Sequence, residues 1–98
     1  MVKKIIWNKK GQSTFDDTIN YLQDEVSHLS AESFFNIVYD KIDKLIEQPY
    51  IGRKVGSTKS VRVINLDKHR QMFYRIVGTT LYISYFFDTR QNPTKRPF

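Results

Sequence analysis

The chain has no cysteine. That excludes disulfides, thiolate metal sites and cysteine nucleophiles, and it fits a reducing cytosol. Histidine is nearly absent too. His28 and His69 are the only two, and neither has a partner at metal-ligand spacing. No metal is expected, and no other cofactor is implied. Carboxylates run out halfway: after Glu47 only Asp67 and Asp88 remain, which gives paired-acid catalysis little material. Serine hydrolysis lacks its Gly-x-Ser-x-Gly turn. The few glycines form no phosphate-cradling GxxxxGK[ST] loop. No apolar run approaches the roughly 20 residues of a membrane span. Met1 to Lys4 lead into a short strand rather than a signal-peptide core. A cytoplasmic protein with no membrane partner is expected.

What remains is a basic domain. Ninety-eight residues, 40% hydrophobic and 27% charged, suit one globular domain over residues 1–98. The net charge of +6 is unevenly spread. Residues 1–50 hold six lysines against eight carboxylates, a net of −2, whereas residues 51–98 hold ten Lys/Arg against two, a net of +8. Such asymmetry suggests an anionic partner, either nucleic acid or an acidic protein segment. A solvated basic surface without a partner is the other reading.

Val2 to Asn8 reads as a strand broken at Gly11. Ser13 and Thr14 offer helix caps, with Asp16 and Asp17 in the first turn. Phe15, Ile19, Leu22, Val26 and Leu29 then recur at helical spacing. Ser30 is a cap for a second helix, whose stripe is Ala31, Phe35, Val38, Ile42 and Leu45, widened by Phe34, Ile37 and Ile46. Gln48-Pro49 ends it. Tyr50 to Ser60 reads as a basic, flexible connection. Three strands follow, Val61–Leu66, Gln71–Val77 and Leu81–Asp88, with turns at 67–70 and 78–80. The spacing predicts an α+β fold, β-α-α-β-β-β, with a helix hairpin packed on a mainly antiparallel sheet. Leu81, Ile83, Tyr85 and Phe87 are expected to face the helices. Residues 91–98, with two prolines, read as an irregular tail.

The basic residues are the candidates for chemistry. Strand alternation puts Arg62 on the face opposite Val61 and Val63. Arg75 is offset from Met72, Tyr74 and Ile76, and Arg90 follows the last strand. A guanidinium can hold a phosphate through paired donors, and nearby tyrosines can stack on bases. Arg62 and Arg90 are the candidate catalytic residues for metal-free RNA cleavage. Lys54, Lys59, Lys68, His69, Arg70 and Arg75 are the candidate contacts to nucleic acid or another target. Cleavage also needs a base for the 2′-hydroxyl and an acid for the leaving oxygen, roles that arginine fills poorly. In the purely structural alternative, Arg62 pairs with a carboxylate and Arg90 fixes the tail.

The order of elements and three segments together resemble the RelE/ParE toxin superfamily. LIEQPYIGR (Leu45 to Arg53) is similar to that family's leucine–proline–glycine–arginine segment. VRVI (Val61 to Ile64) is similar to its arginine-bearing strand, and FYRIVGTTLYISYFFDTRQNP (Phe73 to Pro93) to its tyrosine strand, hairpin and closing arginine. The resemblance implies a bacterial type II toxin–antitoxin toxin, neutralised by an acidic antitoxin that folds on binding and covers the basic β face and an apolar groove beside the helices. RelE-like members cut mRNA on the ribosome without metal; ParE-like members poison DNA gyrase. Arg62 and Arg90 match basic positions of the ribosome-dependent nucleases. Ile64 stands where a second basic residue is expected, Gln71 near an expected arginine, and the tail has no tyrosine. These departures shift the expectation towards a ParE-like binding toxin, or towards a nuclease that uses different residues. A non-catalytic nucleic-acid or protein-binding module, or a decayed toxin, is the alternative.

Overall fold

Asn8 starts the first helix. Its side chain accepts from the Gly11 N–H at 2.9 Å, the usual way an N-cap satisfies a free amide. The computed structural model describes residues 1–56 and 58–90, without the side chains of Thr58 and Lys59. Strand β1 (Lys4–Trp7) leads into helices α1 (Lys9–Glu25) and α2 (His28–Glu47); strands β2 (Arg53–Val55), β3 (Thr58–Asn65), β4 (Arg70–Val77) and β5 (Thr80–Asp88) follow. The irregular tail expected at 91–98 lies outside the described residues.

The five strands form one sheet in the order β1-β5-β4-β3-β2. Among the described residues, only the β1–β5 pairing is parallel; the other three are antiparallel. The α+β architecture expected from the sequence is therefore present, with one strand more. β2 lies in the stretch read as a flexible connection. Its three residues are too few to show an alternating pattern, and pairing with β3 makes them a strand. Gly78 takes the left-handed φ of +61° that the tight β4–β5 turn requires.

The helix starts also differ from expectation. α1 begins upstream of Ser13, and Gly11 lies inside it rather than breaking the chain. A Cβ at Gly11 would collide with the Ile83 carbonyl, so glycine lets α1 lie directly on β5. Thr14 is not a cap: its hydroxyl accepts from the Phe86 N–H at 3.0 Å and ties α1 to β5. α2 is capped by Ser27 rather than Ser30: the Ser27 hydroxyl accepts from the Ser30 N–H. The apolar stripes shorten accordingly. Val26 caps α1 and Leu29 sits in the first turn of α2, and both are exposed. Phe34, not Phe35, is the buried partner of Ala31, Val38, Ile42 and Leu45.

Both helices cover one face of the sheet. Phe15, Leu22, Phe34, Val38, Ile42 and Leu45 pack there against Met72, Tyr74, Leu81, Ile83 and Phe86. Each large apolar side chain buried this way is worth about 1.5–3 kcal/mol. A β-bulge changes which residues of β5 take part. Phe73 pairs with Tyr85 but Tyr74 with Ile83, so Ser84 is an extra residue and alternation reverses across it. Leu81 and Ile83 face the helices as expected. Tyr85 and Phe87 do not: they join Val55, Val61, Val63 and Phe73 in a second cluster, and Phe86 takes the helix side. This second cluster occupies the sheet face away from the helices.

Candidate functional site

Arg62 projects from β3 on the helix side of the sheet, opposite Tyr74 of β4, past the last turn of α2. Its guanidinium donates to the carbonyls of Tyr50 (3.1 Å) and Gly52 (2.7 Å). It also lies 5.1 Å from the centre of the Tyr50 ring, within cation–π range. The Tyr74 hydroxyl donates to the Pro49 carbonyl (2.9 Å) and accepts from the Gly52 N–H (3.0 Å). Burial pushes the Tyr74 phenol above its ordinary value, against smaller downward pulls from the Gly52 N–H and the Arg62 charge. The phenol stays protonated and works as a hydrogen-bonding post. Arg62 thus meets neutral carbonyls rather than the carboxylate considered from sequence.

Arg90 stands at the other end of the sheet. It forms a two-pronged pair with Asp88, Nε to Oδ1 at 3.0 Å and Nη2 to Oδ2 at 2.6 Å, and its backbone N–H donates to the same carboxylate. The guanidinium holds the Asp88 carboxyl at about 2, below its ordinary 3.8. The Arg90 pKa is raised in turn, chiefly by its bond to Asp88. A carboxylate so acidic is a weak general base near neutrality.

Arg90 lines a cleft of about 430 Å³ with Asp17, Tyr21, Phe34, Arg70 and Asp88. Arg70 reaches it from β4, lies 5.8 Å from the Phe34 ring centre and pairs with Asp67 at 3.4 Å. Asp67 also accepts from the N–H groups of His69 and Arg70, which fixes the β3–β4 turn. Each arginine of the cleft therefore faces its own aspartate. Apart from Thr18 the cleft is half charged and half aromatic, and its two aspartates and two arginines cancel in formal charge.

The remaining candidates scatter. Lys68 is exposed in the turn, and the His69 carbonyl accepts from Thr89. Lys54 is exposed on edge strand β2 opposite Arg62. Arg75 is exposed on the face away from the helices, between Val61 and Tyr82 in register. The Lys59 side chain lies outside the described residues. The structure brings Arg70 and Arg90 together but separates both from Arg62: their positions on β4, Arg70 and Tyr74, are four residues or roughly 13 Å apart. Tyr50, Tyr74 and Tyr21 join the site only in the structure. Only the neighbouring PYIGR segment hinted at Tyr50, and Tyr74 looked like any alternating core residue.

Among the described residues, no group of three His, Asp or Glu is placed to hold a metal ion, and no helix is long and apolar enough to cross a membrane. The profile of the ParE toxin of type II toxin–antitoxin systems, parDE, matches residues 5–93. The chain belongs to the ParE toxin family. Its fold is shared with solved toxins at low sequence identity. A chain of the chromosomal ParDE system of P. aeruginosa superposes with a TM-score of 0.71 at 14% identity, over 89% of this chain and 96% of that one. An L66S mutant toxin from Helicobacter pylori, solved with copper bound, gives 0.68 at 14% identity, covering 92% and 97%. A chain of the E. coli DinJ–YafQ toxin–antitoxin complex gives 0.64 at 12% identity, covering 92% and 96%. No curated protein sequence matches. This ParE-family chain is the toxin component of a type II toxin–antitoxin system, on a fold that relatives present in complex with antitoxins share.

Proposed function

We propose that this toxin acts in the cytoplasm, as a single domain, by binding DNA gyrase rather than by cutting RNA. One observation carries the reading: among the described residues, neither candidate catalytic arginine has a competent acid–base partner. Arg62 is bonded to backbone carbonyls beside a phenol of raised pKa, and Arg90 is bonded to a carboxylate held at about 2. An acidic antitoxin neutralises the toxin by covering its basic half and orders as it binds. Lys54, Lys59, Lys68 and Arg75 supply long-range attraction to anionic partners, with His69 beside them in the β3–β4 turn. Purified toxin is expected to block supercoiling by gyrase in vitro and to leave transcripts intact after induction in cells. New transcript ends at ribosome-bound codons, with supercoiling unaffected, would overturn the reading. They would favour a ribosome-dependent nuclease, for which one observation speaks: Arg70, Arg90 and Tyr21 converge on a single cleft.

A further inference from the structure

The segment between α2 and β2 is held unusually firmly for a connection. Tyr74 bonds Pro49 and Gly52, and Arg62 bonds Tyr50 and Gly52 and covers one face of the Tyr50 ring. Gly52 is wedged in place: a Cβ there would lie 2.5 Å from the Tyr74 hydroxyl and 2.8 Å from the Val63 carbonyl. Yet the residues fixed in this way point outwards. Tyr50 is 62% exposed and Ile51 44% exposed.

Charge surrounds them. Arg53 and Lys54 follow and are exposed, and Lys54 pairs with Arg62 across the strands, so both lie on the same face as the loop. No carboxylate occurs between Glu47 and Asp67. Because Arg62 donates to neutral carbonyls, its positive charge is not cancelled. We infer that Tyr50, Ile51 and Lys54 form a pre-organised contact surface for the toxin's protein target, one that fits an acidic surface bearing an apolar pocket.

Two features of the loop favour a folded protein as the occupant. Ile51 has no ring to stack on a base, whereas an exposed tyrosine with an arginine over its ring matches the anchors of protein interfaces; a nucleic-acid strand would leave Ile51 unused. A fixed loop also suits a folded target, because its ordering cost is met before binding. An antitoxin segment that orders on contact needs no fixed partner. The inference rests on the reading of the protein as a binding toxin.

The test uses full-length toxin and purified DNA gyrase as the probe. A Tyr50→Ala/Ile51→Ser double variant should stay folded, melting only slightly below the wild type for loss of the Arg62 contact with the ring, and bind gyrase about tenfold more weakly or worse. Lys54→Glu should weaken binding less, with the larger loss at low salt. Leu29→Ser, which alters an exposed apolar residue elsewhere, should bind normally. A folded double variant within about twofold of wild-type affinity would overturn the inference. Wild-type toxin that fails to bind gyrase would overturn the gyrase target alone. Growth arrest in cells then reads the surface: full arrest by the double variant refutes it, and loss of arrest with antitoxin binding retained supports it. Loss of affinity for a single-stranded RNA in step with loss of arrest would show that the surface serves nucleic acid, and would refute a protein occupant.

Discussion

Arg62 and Arg90 look alike in the sequence, each a basic residue on or just after a strand, but the structure uses them in opposite ways. Arg62 is committed in geometry and free in charge: its Nη1 reaches two backbone carbonyls, and among the described residues no carboxylate is its partner. Arg90 is committed in charge and exposed in geometry: one aspartate takes it up, and 54% of its side chain remains accessible. Hydrogen bonds to carbonyls organise a segment of chain, whereas an exposed ion pair organises little beyond its two partners. The Arg62 end should therefore be structurally sensitive and the Arg90 end tolerant.

The strongest way to break that contrast is to enlarge Gly52. Gly52→Ala places a methyl group against the Tyr74 hydroxyl and the Val63 carbonyl and should cost about 1–3 kcal/mol, read by urea denaturation. A neutral result would mean that the loop yields easily. Next comes Tyr74→Phe. It keeps the buried ring but removes the partner of both the Pro49 carbonyl and the Gly52 N–H. About 1–2 kcal/mol should be lost, with faster hydrogen exchange at the Gly52 amide.

Arg62→Lys sharpens the comparison. It preserves the charge but not the planar guanidinium whose Nη1 donates to both carbonyls. Stability should fall by about 0.5–1.5 kcal/mol, while the salt dependence of target binding stays close to that of the wild type. Asp88→Asn is the smallest. Since Asp88 is depressed in the folded state, its pairing supports the fold above the ordinary carboxyl value of 3.8 and is lost as pH falls towards about 2. The variant should match the wild type closely at neutral pH, apart from a slight loss, and should show a flatter decline across that acid window. A large loss at neutral pH would show the Arg90 end to be structural after all.

Several features of the fold could be read directly from residue order. The stripe of Phe15, Ile19 and Leu22, the run from Ala31 to Leu45 and the alternation around Val61, Arg62 and Val63 are local patterns, each set by the period of its own element. The family resemblance in the segments 45–53, 61–64 and 73–93 was legible for the same reason. Caps were legible only in kind. Asn8, Ser13 and Thr14 compete on equal chemical terms, and what favours Asn8 is that α1 can begin there and lie on β5 through Gly11. The bulge at Ser84 has no sequence mark, because it arises from pairing with β4. It alone decides that Phe86 rather than Phe87 joins the helix-side core.

The site divides along the same line. The basic second half, the scarcity of acids after Glu47 and the candidacy of both arginines follow from composition and spacing. The partners of those arginines do not. The carbonyls that Arg62 meets lie 10 and 12 residues away in sequence, on a loop brought back only by the antiparallel run of β2 on β3. Hydrogen bonds are short and directional, so a side chain's role is settled by which backbone arrives within about 3 Å. Residue order determined that this chain would be a basic α+β toxin; the packing of the sheet decided that Arg62 fastens the Tyr50 loop while Arg90 binds its own aspartate.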